Sequence, residues 1–242
     1  MDNIRTNLSI IHQRMEAACK KANRHAGDVR LLLATKTVPA ERIAFALECG
    51  ERLVGENKVQ ELKGKYEVLR TYNYESHFIG HLQTNKIKDA LKYVTCIESV
   101  DRLDLARKLD QRLQFEGRSM DILVQVNSSF EESKFGIDPA DAIPFIREVA
   151  KYDTLAIRGL MTIGLFSAEE EKVRRCFRLL KNIRQQVIEE DIPNVEMREL
   201  SMGMSGDLEI AIEEGATIVR VGTAIFGQRM YPDSYYWNES KR

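Results

Sequence analysis

A chain of 242 residues with 36 basic and 37 acidic side chains has a formal charge of −1, which excludes a general electrostatic attraction to nucleic acid or anionic lipid. No apolar run reaches the ~20 residues of a membrane span, and the N-terminus lacks the basic-then-apolar order of a secretion signal, so a cytoplasmic protein without membrane association is expected. Cys19, Cys49, Cys96 and Cys176 lie far apart with no CxxC pair, the pattern of reduced structural thiols rather than of a zinc knuckle or disulfide framework.

The chain opens on a helix, because Ile4, Leu8, Ile11, Met15, Ala18 and Ala22 recur at steps of three and four and Gly27 lies just past the end. Short β-branched or apolar runs then alternate with longer amphipathic segments. Strands are predicted at 29–36, 52–57, 76–80, 96–100, 121–127, 157–163, 195–201 and 218–223. Helices are predicted at 39–49, 58–70, 84–93, 101–116, 138–152, 168–190 and 205–214. Pro39, Pro139 and Ser205 stand where helices should begin, and Gly50, Gly117 and Gly215 where they should end. Eight βα repeats with no Gly/Ser/Pro-rich linker favour one closed (β/α)8 TIM barrel spanning 1–242, with an extra N-terminal helix. A doubly wound sheet would place a G-x-G-x-x-G turn after the first strand, where this chain has Lys36-Thr37-Val38-Pro39.

Barrel sites form where strands end. The polar residues at those ends are Lys36, Asn57, His81, Ser99, Asn127, Thr162, Ser201 and Gly222 with Thr223. The loops after strands seven and eight are the recurrent phosphate site of such barrels, and Ser201, Gly203, Ser205, Gly206 and Gly222-Thr223 suit it; an ordinary N-cap and tight turn read equally well there. Lys36 closes an apolar strand, where desolvation can supply a neutral amine that attacks an aldehyde, or where the side chain can simply snorkel or pair. Arg220, flanked by Val219 and Val221, demands a partner in a buried strand: the nitrogen of a ligand ring, an ion pair with Glu56 or Glu199, or both. His77 and His81 have no further ligand at metal spacing, so no metal site is expected. The run Lys172, Arg174, Arg175, Arg178, Lys181 and Arg184 reads as a solvated helix face, with Val173, Phe177, Leu180 and Ile183 at core spacing.

Thr35-Lys36, Gly55-Glu56-Asn57-Lys58-Val59-Gln60-Glu61, His77 through Lys86, Ser201 through Asp207 and Arg220 through Gly227 together resemble the signature blocks of the pyridoxal phosphate homeostasis proteins. That resemblance implies a barrel like the N-terminal domain of alanine racemase, with pyridoxal 5′-phosphate in Schiff-base linkage to Lys36. It implies Asn57 lining the pocket, Ser201, Gly203, Ser205, Gly222 and Thr223 around the phosphate, and Arg220 at the pyridine nitrogen. Ser133-Lys134-Phe135-Gly136 is similar to the family's loop after strand five, while Val38 stands where many members carry a second lysine. The role implied is binding, storage and delivery of the cofactor, with apo pyridoxal phosphate enzymes as recipients and no turnover. The alternative is an amino-acid racemase. About twenty residues follow strand eight, including Tyr231, Tyr235, Tyr236 and Trp237, too few for a second core, so a monomer is expected rather than the racemase dimer.

Overall fold

All eight expected strands form and close on themselves as a parallel barrel in chain order. They are β1 (Arg30–Ala34), β2 (Leu53–Glu56), β3 (Glu75–Phe78), β4 (Cys96–Val100), β5 (Met120–Gln125), β6 (Leu155–Met161), β7 (Val195–Ser201) and β8 (Ile218–Val221). The protein is described here from a computed structural model covering residues 2–227; Tyr231, Tyr235, Tyr236 and Trp237 lie outside the described residues. Around the barrel run α1 (Asp2–Lys21), α2 (Ala40–Glu48), α3 (Val59–Leu69), α4 (Ile87–Ala90), α5 (Leu103–Glu116), α6 (Ala142–Val149), α7 (Glu170–Glu189), α8 (Leu208–Glu213) and α9 (Thr223–Phe226).

Alternation along the strands divides the core in two. Leu31 and Leu33 join the large cluster between barrel and helices, whereas Leu32 packs with Leu53 and Ile218 inside the barrel. On β8 the same rule sends Val219 and Val221 outward, so Arg220 shares the inner face with Ile218. The interior therefore mixes apolar side chains with the buried polar groups His77, Glu98, Gln125, Ser201 and Arg220.

Several boundaries differ from those the sequence predicts. Most strands stop one or two residues early, which leaves Lys36, Asn57 and Gly222 in the loops. The segment 84–93 forms a 3₁₀ turn, Thr84–Lys86, before the short α4. Pro139 starts another 3₁₀ turn, where the Asp138 carboxylate accepts from the Ala140 N–H at 2.8 Å. Ser205 does not cap a helix: Ser205 to Asp207 form a turn, and α8 begins at Leu208. The four-residue α9 has no counterpart in the sequence pattern.

Helix α1 buries Ile4, Leu8, Ile11, Met15 and Ala18 and packs across α8 and α9. Asn7 Nδ2 donates to the Ile225 carbonyl at 2.9 Å, and Arg24 Nη1 donates to that of Ile212 at 2.8 Å. On α7 the apolar stripe is buried as expected, but the basic run is not a uniformly solvated face. Arg174 bridges to Glu213 and Glu214 at the end of α8 at 2.8 and 3.1 Å, and Arg178 reaches Glu214 at 3.0 Å.

Candidate functional site

The turn after β1 is built around Lys36, which is half-buried. Thr35 continues the ladder, its N–H donating to the Gly55 carbonyl at 3.0 Å, and its own carbonyl accepts from the Val38 N–H at 2.9 Å. Its hydroxyl donates to Glu56 Oε1 at 2.6 Å. Thr37 lies at φ 65°, the left-handed region, which for a β-branched residue costs about 1–3 kcal/mol. Its N–H donates to Glu61 Oε2 at 3.3 Å. Between the two carboxylates sits Lys65 of α3, whose Nζ is 2.5 Å from Glu56 Oε1 and 2.6 Å from Glu61 Oε2 and donates to the Thr35 carbonyl at 2.9 Å. Burial pushes the Glu56 carboxyl up despite Lys65.

Asn57 follows β2 on the neighbouring strand, with its Oδ1 buried and without a hydrogen bond. Gly80, at the end of β3, lies so close to it that a Cβ there would stand 2.2 Å from the Asn57 carbonyl oxygen.

On the other side of β1, Arg220 is buried. Its Nη1 donates to Ser201 Oγ at 2.8 Å and its Nη2 to the Thr162 carbonyl at 2.7 Å. Burial pulls this guanidinium down from its ordinary value, while Glu98 and Asp207 act in the opposite direction. Neither Glu56 nor Glu199 is its partner: Glu98 is the nearby carboxylate, reached through Ser201, whose hydroxyl donates to Glu98 Oε2 at 2.5 Å. Ser201 thus gives its one hydroxyl proton to Glu98 and accepts from Arg220, which links the guanidinium to the buried carboxylate.

Glu98 also meets His77, Oε1 to Nδ1 at 2.6 Å, and His77 Nε2 lies 3.6 Å from Glu75. Burial alone would lower His77, but its bonds to Glu75 and Glu98 more than reverse that and raise it to about 9. A polar string thus crosses the barrel from Arg220 to Arg30, which pairs with Glu75 at 2.9 Å. At that far rim a cavity of about 370 Å³ opens among Arg30, Glu75, His77, Arg158 and Glu199, at the end of the barrel opposite Lys36.

The β7–α8 loop is held by its own geometry. Gly203 has φ 91°, and a Cβ would stand 2.4 Å from Ala211 Cβ, so both backbone and packing require glycine. The Gly203 carbonyl accepts from the Arg220 N–H at 2.9 Å, and the Met204 N–H donates to Asp207 Oδ1 at 2.6 Å. Gly206 is different: a Cβ there would meet nothing within 4 Å, so close approach within the chain does not explain it. From outside, Arg14 of α1 donates to the Ser205 carbonyl at 3.0 Å and grips Glu209 through two bonds of 2.6 and 2.9 Å. Gly222 lies against β1, where a Cβ would stand 2.6 Å from the Ala34 carbonyl oxygen. Thr223 then starts α9, whose first N–H groups lack intrahelical acceptors.

The structure therefore brings Lys36, Asn57, Gly203, Ser205, Arg220, Gly222 and Thr223 to one arc of the C-terminal rim, on the consecutive strands β7, β8, β1 and β2. On the remaining arc, the His81 ring stacks on Phe135 at 4.0 Å and 20°. Lys134 is tied to Glu131 and to the Gly164 carbonyl. Sequence reasoning marks His77 as structural but does not single out Glu98, Lys65 or Arg14. Two left signals in the sequence: Glu98 interrupts a buried strand, and Lys65 occupies the apolar stripe of Val59, Leu62 and Leu69.

The family model of the alanine racemase N-terminal domain matches residues 3–230. A pyridoxal phosphate homeostasis protein from Aquifex aeolicus is 42% identical over 93% of this chain and 97% of its own length. A crystal structure from Bifidobacterium adolescentis, of a protein described as unknown, is 42% identical with a TM-score of 0.90, covering 93% of this chain and 95% of that one. PipY of Synechococcus elongatus, solved with pyridoxal phosphate bound, is 32% identical with a TM-score of 0.77, covering 88% of this chain and all of its own. Matched along nearly its whole length by that family model and by full-length relatives, this chain belongs to the pyridoxal phosphate homeostasis proteins of the alanine racemase N-terminal domain family.

Proposed function

We propose that this chain binds pyridoxal 5′-phosphate in Schiff-base linkage to Lys36, as one domain over residues 1–242 and as a monomer, and serves to store the cofactor and deliver it to apo-enzymes that use it. The observation that carries this reading is the arc itself: an amine ending β1, flanked on β8 and β7 by glycine-bearing turns, with a buried guanidinium between them. Asn57 Oδ1, buried and without a hydrogen bond, is a ready acceptor for a polar ring substituent. Gly203, Ser205, Gly222 and Thr223 offer backbone N–H groups and hydroxyls to a phosphate. Ser201 contributes through its hold on Arg220. When bound, the cofactor supplies a reactive aldehyde conjugated to an electron-withdrawing ring.

The full-length relatives named as pyridoxal phosphate homeostasis proteins support a carrier over a racemase. A guanidinium beside the pyridine nitrogen would oppose its protonation and weaken the ring as an electron sink, in keeping with that reading. No helix among the described residues is long and apolar enough to cross a membrane, in keeping with an intracellular recipient pool.

The test is the absorption spectrum of the protein with pyridoxal phosphate, before and after borohydride reduction, followed by peptide mapping. A pyridoxyl group trapped on Lys36 and absent from Lys36→Ala supports the site; a group on Lys134 or another lysine refutes it. Incubation with an apo-enzyme should restore that enzyme's activity. Robust turnover of any amino acid, abolished by Lys36→Ala, would promote the racemase reading instead.

A further inference from the structure

The geometry points to Glu56, Glu61 and Lys65 as positioning residues that aim Lys36, a role resting on the covalent site proposed above. Both neighbours of Lys36 are held by this triad, beyond the ladder and turn bonds of Thr35 to Gly55 and Val38: Thr35 through its hydroxyl to Glu56 and its carbonyl to Lys65, Thr37 through its N–H to Glu61. The held turn is a strained one, with Thr37 left-handed. A lysine has four rotatable side-chain bonds, so its reach is broad unless the direction in which its Cα–Cβ bond leaves the chain is fixed. Here that direction is set by side chains from the next strand and helix.

The composition of the triad supports a role beyond stability. Lys65 and Glu56 are both buried, and a buried ion pair is commonly no more stabilising than well-packed apolar side chains of the same volume. A turn held for packing alone could be held by such residues. Hydrogen bonds to a carbonyl, a hydroxyl and an N–H on either side of one residue instead fix its backbone orientation, which apolar packing does less sharply.

Two kinds of variant separate positioning from folding. In Glu56→Gln/Lys65→Met the buried charges are removed together, so the fold is expected to persist; in Glu61→Ala only a partly exposed partner is lost. Two quantities are measured in each: the rate of covalent linkage to pyridoxal phosphate, followed by borohydride trapping at Lys36, and the affinity for pyridoxine 5′-phosphate, which fills the same contacts but has no aldehyde. The expected result is a fall in linkage rate of tenfold or more in the double variant and threefold or more in Glu61→Ala, with pyridoxine phosphate affinity changed less than twofold. Lys65→Arg, which keeps a cationic donor, should recover most of the rate. Linkage rates equal to the parent in the folded variants, or rate and affinity falling together, would overturn the positioning role. If the double variant fails to fold, Glu61→Ala decides. Failure of the unsubstituted protein to link at Lys36 is a failure of the covalent site itself and is read from the parent alone.

Discussion

The two halves of the site rim are fixed by different physics. On the lysine side, the turn after β1 is held by a buried cluster of opposite charges, Glu56, Lys65 and Glu61. On the side proposed for the phosphate, the loops after β7 and β8 are held by close backbone approach at Gly203 and Gly222 and by α1 bracing them from outside. The contrast follows from what each half presents. A flexible side chain needs its root aimed, which directional polar bonds can do; a cradle of backbone N–H groups needs surfaces brought near, which missing Cβ atoms allow. One half should therefore be sensitive to charge and the other to volume.

The sharpest way to break the lysine half is Lys65→Met, which strands the buried Glu56 carboxyl. Loss of one partner of a buried pair costs about 3–5 kcal/mol, and adding Glu56→Gln should restore most of it in urea unfolding. If the single and double variants are equally unstable, charge is not what holds that turn. Gly203→Ala tests the other half through volume: with φ 91° and Ala211 Cβ 2.4 Å away, a loss of about 2–3 kcal/mol is expected. Gly206→Ala, with open space around it, should change stability by less than about 0.5 kcal/mol.

Between the halves, the interior string is sensitive to pH. His77, faced by Glu75, Glu98 and Arg30, titrates at about 9 in the folded protein against an ordinary value of 6.5. Its stabilising contribution is therefore full below 6.5 and is lost as pH rises through about 9. The stability gap between the parent and His77→Gln, at most about 3 kcal/mol, should narrow between pH 7 and pH 10. A gap that stays constant over that range would mean that His77 is neutral in the fold. A smaller effect than that of Gly203→Ala is expected from Arg14→Ala, which removes a partly exposed brace of Ser205 and Glu209. About 1 kcal/mol of stability should be lost, with a measurable weakening of pyridoxine phosphate binding and no change in the Lys36 linkage rate at saturating cofactor.

The barrel was legible because each strand is an apolar run followed by an amphipathic segment, and the period survives in the sequence without reference to anything distant. The arc of Lys36, Asn57, Gly203, Gly222 and Thr223 was legible for the same reason, since strand ends are local features and the fold does the rest. What escaped were pairings between elements. Ser201 looks like a loop hydroxyl until Glu98, a hundred residues earlier, takes its proton. Ser205 resembles an N-cap, but Asp207 takes the Met204 N–H and helix α8 starts later. Lys65 is one lysine among many in the sequence, although its place on the stripe of Leu62 and Leu69 marks it as inward-facing.

Helix α1 has a consequence for how the molecule is made. Its apolar stripe leaves the ribosome about two hundred residues before α8 and α9, which cover it; the bond from Asn7 to Ile225 spans 218 positions. During translation Ile4, Leu8, Ile11 and Met15 can meet α2 early but lack the native cover of α8 and α9 until those helices are made. The rim loops that α1 braces therefore reach their final geometry only once residues more than two hundred positions apart are joined.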